Sequence, residues 1–192
     1  MVNIFSSPPF YTNHVKLPNA NGPIPLEIQQ NPKFWPYLKD ALGAINGSHT
    51  NFAAPASLHD ISKGFISQSC LLSCLFSLQF FYVLTGWEGS ATDAQLWNDA
   101  INDDLVVPEG KYYLSDAGFG ACDQLLLPYQ GVHYHLAEWG HANVQYVTFL
   151  LLNINLIFSI YSFANKEELF NLHHASARNV IEHIFGVLKH RF

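Results

Sequence analysis

Apolar and polar residues alternate along this chain in blocks whose period changes several times, and the changes mark its elements. The aromatics and Leu38 between Phe34 and Ala41 predict a short helix or turn. It leads into Leu42-Gly43-Ala44-Ile45, a brief buried strand ending at Asn46-Gly47, a dipeptide with a strong turn preference. Gly64 to Trp87 carries no charge, a length that in principle crosses a bilayer. Ser67, Gln68, Ser69, Ser73, Ser77 and Gln79 interrupt it, however, and Ser77-Leu78-Gln79 can turn the chain. Two core strands, about Phe65 to Phe76 and Phe80 to Thr85, fit better.

Beyond them, Gly86-Trp87-Glu88-Gly89-Ser90-Ala91-Thr92-Asp93 is a polar loop rich in helix-capping residues, and Ala94 to Ile101 has apolar side chains at helical spacing. Lys111 to Leu114 predicts a buried strand that breaks at Asp116-Ala117-Gly118. The last segment is the best-patterned helix. At about 100° per residue, Ala177, Val180, Ile181, Ile184, Val187 and Leu188 fall on one arc, with Arg178, Glu182 and Lys189 opposite. Strand, strand pair, helix, strand and helix make an α/β domain.

Val147 to Phe163 is different in kind, a nearly continuous apolar run without a charge. A spanning helix needs about twenty apolar residues, and Asn153 and Asn155 near the middle raise the cost of insertion. A small membrane-anchored protein is thus one alternative, and a membrane partner is not expected.

Composition narrows the picture. A chain of 192 residues suits one domain, and prolines at 8, 9, 18, 23 and 25 make residues 1–33 an irregular arm ahead of a domain over 34–192. Hydrophobic residues reach 49% and charged ones only 12%, which excludes a disordered chain. The net charge of −6 excludes a general nucleic-acid coat, so any DNA contact is local. The candidate patch is C-terminal, with Arg178, Lys189 and Arg191. Three cysteines leave an odd count and no leader opens the chain, which fits a reducing, intracellular setting. His133-Tyr134-His135 and His173-His174 lack the Cys-x-x-Cys companions of a zinc site.

Three blocks carry candidate chemistry: Asn46 after an apolar strand, Asp116 where a strand meets a glycine-containing loop, and Glu182 on the last helix. Oxygen ligands converging from separate elements bind hard divalent ions and support phosphodiester chemistry. Each acid also has a plainer explanation. Asp116 can be a turn residue satisfying local amides, and Glu182 can lie on a solvated face, paired with Arg178 four residues earlier. Geometry read from sequence does not separate the two.

Five ordered blocks add a resemblance: Gly43-Ala44-Ile45-Asn46-Gly47-Ser48-His49; Lys63-Gly64-Phe65; the loop Gly86 to Asp93; Tyr113-Leu114-Ser115-Asp116-Ala117-Gly118-Phe119; and Arg178-Asn179-Val180-Ile181-Glu182-His183-Ile184-Phe185-Gly186-Val187-Leu188-Lys189. Together, over about Phe34 to Phe192, they resemble the nuclease domain of Harbinger-type DDE transposases of fungal genomes. The resemblance implies an RNase H-like mixed sheet with flanking helices, a nuclear location, DNA as substrate, a separate DNA-binding partner protein, and Mg²⁺ or Mn²⁺ as cofactor. It also implies a triad of two aspartates and a glutamate that cleaves DNA. Asp116 matches the second aspartate and Glu182 the glutamate as catalytic metal ligands, and Asp93 matches a supporting acidic position. The first aspartate falls on Asn46, which keeps the shape and loses the charge that hard cations need. Impaired cutting is therefore expected, with a catalytically dead DNA- or protein-binding remnant as the alternative.

Other departures point the same way. Residues 51–61 lack the Arg-rich tract usual in the family, and Leu75 stands where relatives tend to be acidic. Asp116 and Glu182 are 66 residues apart, longer than the family habit by about the length of the apolar run at 147–163, which resembles translated intron or other insertion. The helical DNA-binding region usual upstream is not found, and relatives continue beyond residue 192.

Overall fold

The computed structural model describes residues 17–19, 21–52, 66–132 and 166–191. A four-residue helix, α1 (Leu26–Gln29), lies within the stretch expected to be irregular and buries Ile28 completely. Residues 31–40 follow as consecutive turns, with Phe34 and Leu38 buried. Next come β1 (Ala41–Phe52), β2 (Ile66–Leu75), β3 (Phe80–Glu88), α2 (Asp93–Asp103), β4 (Tyr112–Leu114), β5 (Leu125–Leu126) and α3 (Lys166–Arg191). The apolar run at 147–163, the Lys63-Gly64-Phe65 block and the 133–135 histidines lie outside the described residues. No helix among the described residues is long and apolar enough to cross a membrane.

The strands form one five-stranded sheet in the order β3-β2-β1-β4-β5. The hairpins β1/β2 and β2/β3 are antiparallel, while β1/β4 and β4/β5 are parallel. With helices on both faces this is the RNase H-like α/β fold. The strand pair of the uncharged segment is present, and its hairpin turns at Leu78, which adopts a φ of 60°.

Side-chain alternation along β1 divides the core. Ala44, Leu72, Cys74 and Leu114 pack toward Ala177, Ile181, Ile184 and Phe185 of α3. Ile45, Leu71, Phe81 and Tyr113 pack toward Leu96, Trp97 and Ala100 of α2. Every buried apolar side chain of the strands thus belongs to one helix layer or the other.

Two sequence expectations need correction. Asn46-Gly47 does not end the strand: β1 continues to Phe52, with Asn46 opposite Leu72 and Gly47 opposite Leu71. A cross-strand partner already in register supplies backbone hydrogen bonds that a turn would forgo, so the ladder overrides the dipeptide's preference. On α3, Val187 is exposed, and Phe185 takes the expected core place. Phe185 packs edge-on against Phe80, with ring centroids 6.5 Å apart. The helix layer follows the positions that face the sheet, which the arc drawn from sequence missed by one place.

Candidate active site at the end of β1 and β4

The two-residue period of β1 sends Asn46 and Gly47 to opposite faces. Asn46 shares the face of Ala44, beneath α3, and its Nδ2 donates to Glu182 Oε1 at 3.0 Å. An ionised carboxylate only accepts, so the amide meets it through its nitrogen. Gly47 faces the start of α2, where a Cβ would overlap the Asp93 carboxylate. A glycine inside a strand often marks such a close approach. The same Asn-Gly pair that suggests a turn is therefore where β1 touches both helices.

Asp93 is the first residue of α2. Thr92 caps the helix through a reciprocal capping box with Gln95, fixing the start of α2 against the sheet. Burial pushes the Asp93 carboxyl above its ordinary range, and the charge of Asp116 pushes it further; His49 and Arg178 oppose the shift. His49 lies two residues beyond Gly47 on β1, and its Nδ1 shares a hydrogen bond with Ser69 Oγ at 3.0 Å.

Asp116 lies just past β4. Its Oδ1 accepts the Gly118 N–H at 2.8 Å, so the local turn role holds. Its Oδ2 faces Arg178 Nη2 at 3.4 Å, so the same side chain also reaches across to α3. A Cβ on Gly118 would stand 3.0 Å from Asp116 Oδ1 and 3.1 Å from Asp93 Oδ2. Both carboxylates crowd one backbone position, so a side chain there would make either of them shift by a few tenths of an ångström.

Arg178 joins the acids. Its side chain is 13% exposed, and Nη1 lies 3.2 Å from Glu182 Oε1 while Nη2 meets Asp116. The expected Arg178–Glu182 pair along the helix is present, but it belongs to a longer chain of contacts: Asn46, Glu182, Arg178, Asp116. Among the described residues the buried Arg178 Nε has no hydrogen-bond partner. Of the three residues expected to contact DNA, Arg178 is thus turned into the acidic group. Lys189 and Arg191 occupy the last turns of α3, about 10 and 14 Å along the axis from Glu182 at 1.5 Å per residue.

Two residues of this helix face have structural roles that the sequence reading missed, although His174 was weighed there as a zinc ligand. Asn171 is fully buried; its Oδ1 accepts the Tyr129 N–H at 2.8 Å, and its Nδ2 donates to the carbonyls of Tyr129 at 3.0 Å and Val132 at 3.3 Å. His174, 1% exposed, places Nε2 2.8 Å from the Leu126 carbonyl. Burial drives the His174 pKa down to about 4, with Arg178 adding to the shift, and the Leu126 contact and Asp116 opposing it. The signal was available: Asn171, His174, Arg178 and Glu182 are spaced 3, 4 and 4 apart, one stripe of an α-helix. This polar stripe ties α3 to β5 and the residues that follow it, to Asp116 just past β4, and to β1.

The donor set has the chemistry of a hard-cation site, with oxygens from Asp93, Asp116 and Glu182 and the Asn46 amide. The arrangement does not match. Among the described residues no three acidic, histidine or cysteine side chains stand close enough together to hold an ion. A guanidinium stands between Asp116 and Glu182, and Asn46 offers Glu182 a donor.

The model of one protein family, DDE superfamily endonuclease, matches residues 45–192, from the middle of β1 through the last residue. No curated protein and no solved structure matches the chain. The match spans most of the sequence and takes in Asn46, Asp93, Asp116 and Glu182, so the chain belongs to the DDE superfamily endonuclease family.

Proposed function

We propose that this chain is a transposase-derived DNA endonuclease domain of the Harbinger type, a fungal-like copy whose divalent-metal-dependent cleavage is impaired by Asn46. The observation that carries this reading is the hydrogen bond from Asn46 to Glu182. It puts the first acidic position of the resemblance against the glutamate, 136 residues away in sequence, on the face where Asp116 also arrives through Arg178. Asp116 and Glu182 are the metal ligands in this reading, and Asp93 supports them. Lys189 and Arg191 are proposed to contact phosphate. The proposed setting is the nucleus, with a separate protein helping to bind DNA.

The test is plasmid nicking with Mn²⁺ by the unmodified chain and by Asn46→Asp. The expected result is little cutting by the first and clear cutting by the second. Vigorous cutting by the unmodified protein would refute the impairment, and none by either would favour the second reading. That second reading is a DNA- or protein-binding remnant without catalysis, and the internally satisfied Asn46–Glu182–Arg178–Asp116 chain of contacts favours it. For the segment at 147–163 we propose an insertion. A spliced transcript lacking its codons is the expected finding, and a mature message that retains them counts against it.

A further inference from the structure

We propose that Arg178 is the resident counter-cation of this site, occupying the place between Asp116 and Glu182 that a divalent ion has to take, so that guanidinium and metal compete. The proposal rests on the reading of the site as a nuclease centre.

Three observations carry it. First, the two amino groups of one guanidinium go to two different carboxylates, at 3.4 and 3.2 Å. Charge-assisted N–H···O contacts settle at about 2.7–2.9 Å when one carboxylate is gripped bidentately. Arg178 instead straddles a pair of acids that reach it from separate elements, as a bridging ion does. Second, its Nε is buried and has no acceptor among the described residues. The two acids are what hold the head group there. Third, no three acidic, histidine or cysteine groups among the described residues are gathered for an ion while the guanidinium is in place.

The charges make the competition steep. Asp93, Asp116 and Glu182 bring three negative charges and Arg178 returns one positive charge to their centre. A divalent ion between Asp116 and Glu182 would stand within a few ångströms of that cation. Like charges at such range repel strongly in a partly buried site, so the head group has to swing out before an ion is held. Asn46 acts in the same sense, since its amide gives Glu182 a neutral donor that needs no ion.

The experiment is calorimetric titration of Mn²⁺ into the full chain, unmodified and as Arg178→Gln, Arg178→Lys and Asn46→Asp. The expected result is that Arg178→Gln binds Mn²⁺ at least about tenfold more tightly than the unmodified chain, while Arg178→Lys, which keeps the charge, stays within about threefold of it. Unchanged or weaker binding by Arg178→Gln, with tighter binding by Asn46→Asp, would overturn the counter-cation role and leave the nuclease reading standing. No binding by any of the four would overturn both. Should Arg178→Gln fail to fold by circular dichroism, the unmodified chain supplies the readout. On addition of Mg²⁺ the nuclear magnetic resonance signal of Arg178 Nε–H should move with the metal concentration, and a signal that stays put while heat is released would overturn the proposal.

Discussion

Asn46 on β1 and Glu182 on α3 are joined by a hydrogen bond of 3.0 Å, the amide donating to the carboxylate. The same Glu182 oxygen also meets Arg178 Nη1 at 3.2 Å, so a neutral donor and a cation share it. An aspartate at position 46 would present a second anion to it.

The first prediction follows directly. Asn46→Asp should lower the stability of the metal-free domain by about 1–2 kcal/mol, because a hydrogen bond to a charged group is exchanged for like-charge repulsion at a partly exposed site. Mn²⁺ should restore it, by the linkage between binding and folding. Melting curves with and without Mn²⁺ check this, and a variant as stable as its parent with no response to the ion would contradict it.

Gly47→Ala should be costly although alanine suits a strand better. A Cβ at this position would overlap the Asp93 carboxylate, and α2 is fixed by its capping box and cannot retreat freely. A loss of about 1–3 kcal/mol in urea denaturation is expected, as for other overpacked sites. Gly86→Ala, within β3, is a different case, since its φ of 104° makes the penalty one of backbone strain.

Asn171→Ala should leave the Tyr129 N–H and two carbonyls without their partners at a fully buried position. Tyr129 itself is exposed, so the loss is that of the hydrogen bonds, about 0.5–1.5 kcal/mol each. Hydrogen exchange of the Tyr129 amide should accelerate well beyond the average for the domain. Uniform acceleration across the sheet would mean that Asn171 serves general stability instead.

Stability should fall as the solution is acidified from about pH 6.5 toward pH 4. His174 has its folded pKa depressed to about 4 by burial, so below its ordinary value of 6.5 the unfolded chain takes up the proton and the folded one does not. The shift corresponds to a few kcal/mol, about 3 at most. Asp93 acts with the opposite sign, its raised pKa relieving the folded state as it takes up a proton above the ordinary carboxylate value. Urea midpoints across this range should therefore drop for the unmodified chain and flatten for His174→Gln. Equal slopes for both would exclude His174 as the cause.

Much of the architecture could be read from pattern. The uncharged segment gave its two strands because apolar side chains fill both faces of a central sheet, and Leu96, Trp97 and Ala100 gave α2 through their helical spacing. Asp116 and Glu182 were found as acids next to a strand end and on a helix. What pattern did not supply was which of the polar residues on α3 turn inward. Arg178 was read with the basic C-terminal patch and as a partner of Glu182, and it also reaches Asp116; Asn171 was given no role and His174 was weighed only as a zinc ligand, yet both are almost wholly buried.

The sequence by itself determined β2, β3, β4, α2 and α3 and the loss of a charge at position 46, because periodicity and residue chemistry are local properties. Only the tertiary structure decided that β1 runs on through Asn46-Gly47, that Gly47 is empty to admit Asp93, and that Arg178 bridges Asp116 and Glu182. These depend on which strands pair and how α3 is rotated on the sheet. Burial of Ala177, Ile181, Ile184 and Phe185 fixes that rotation, and with it the direction of every polar side chain in the stripe.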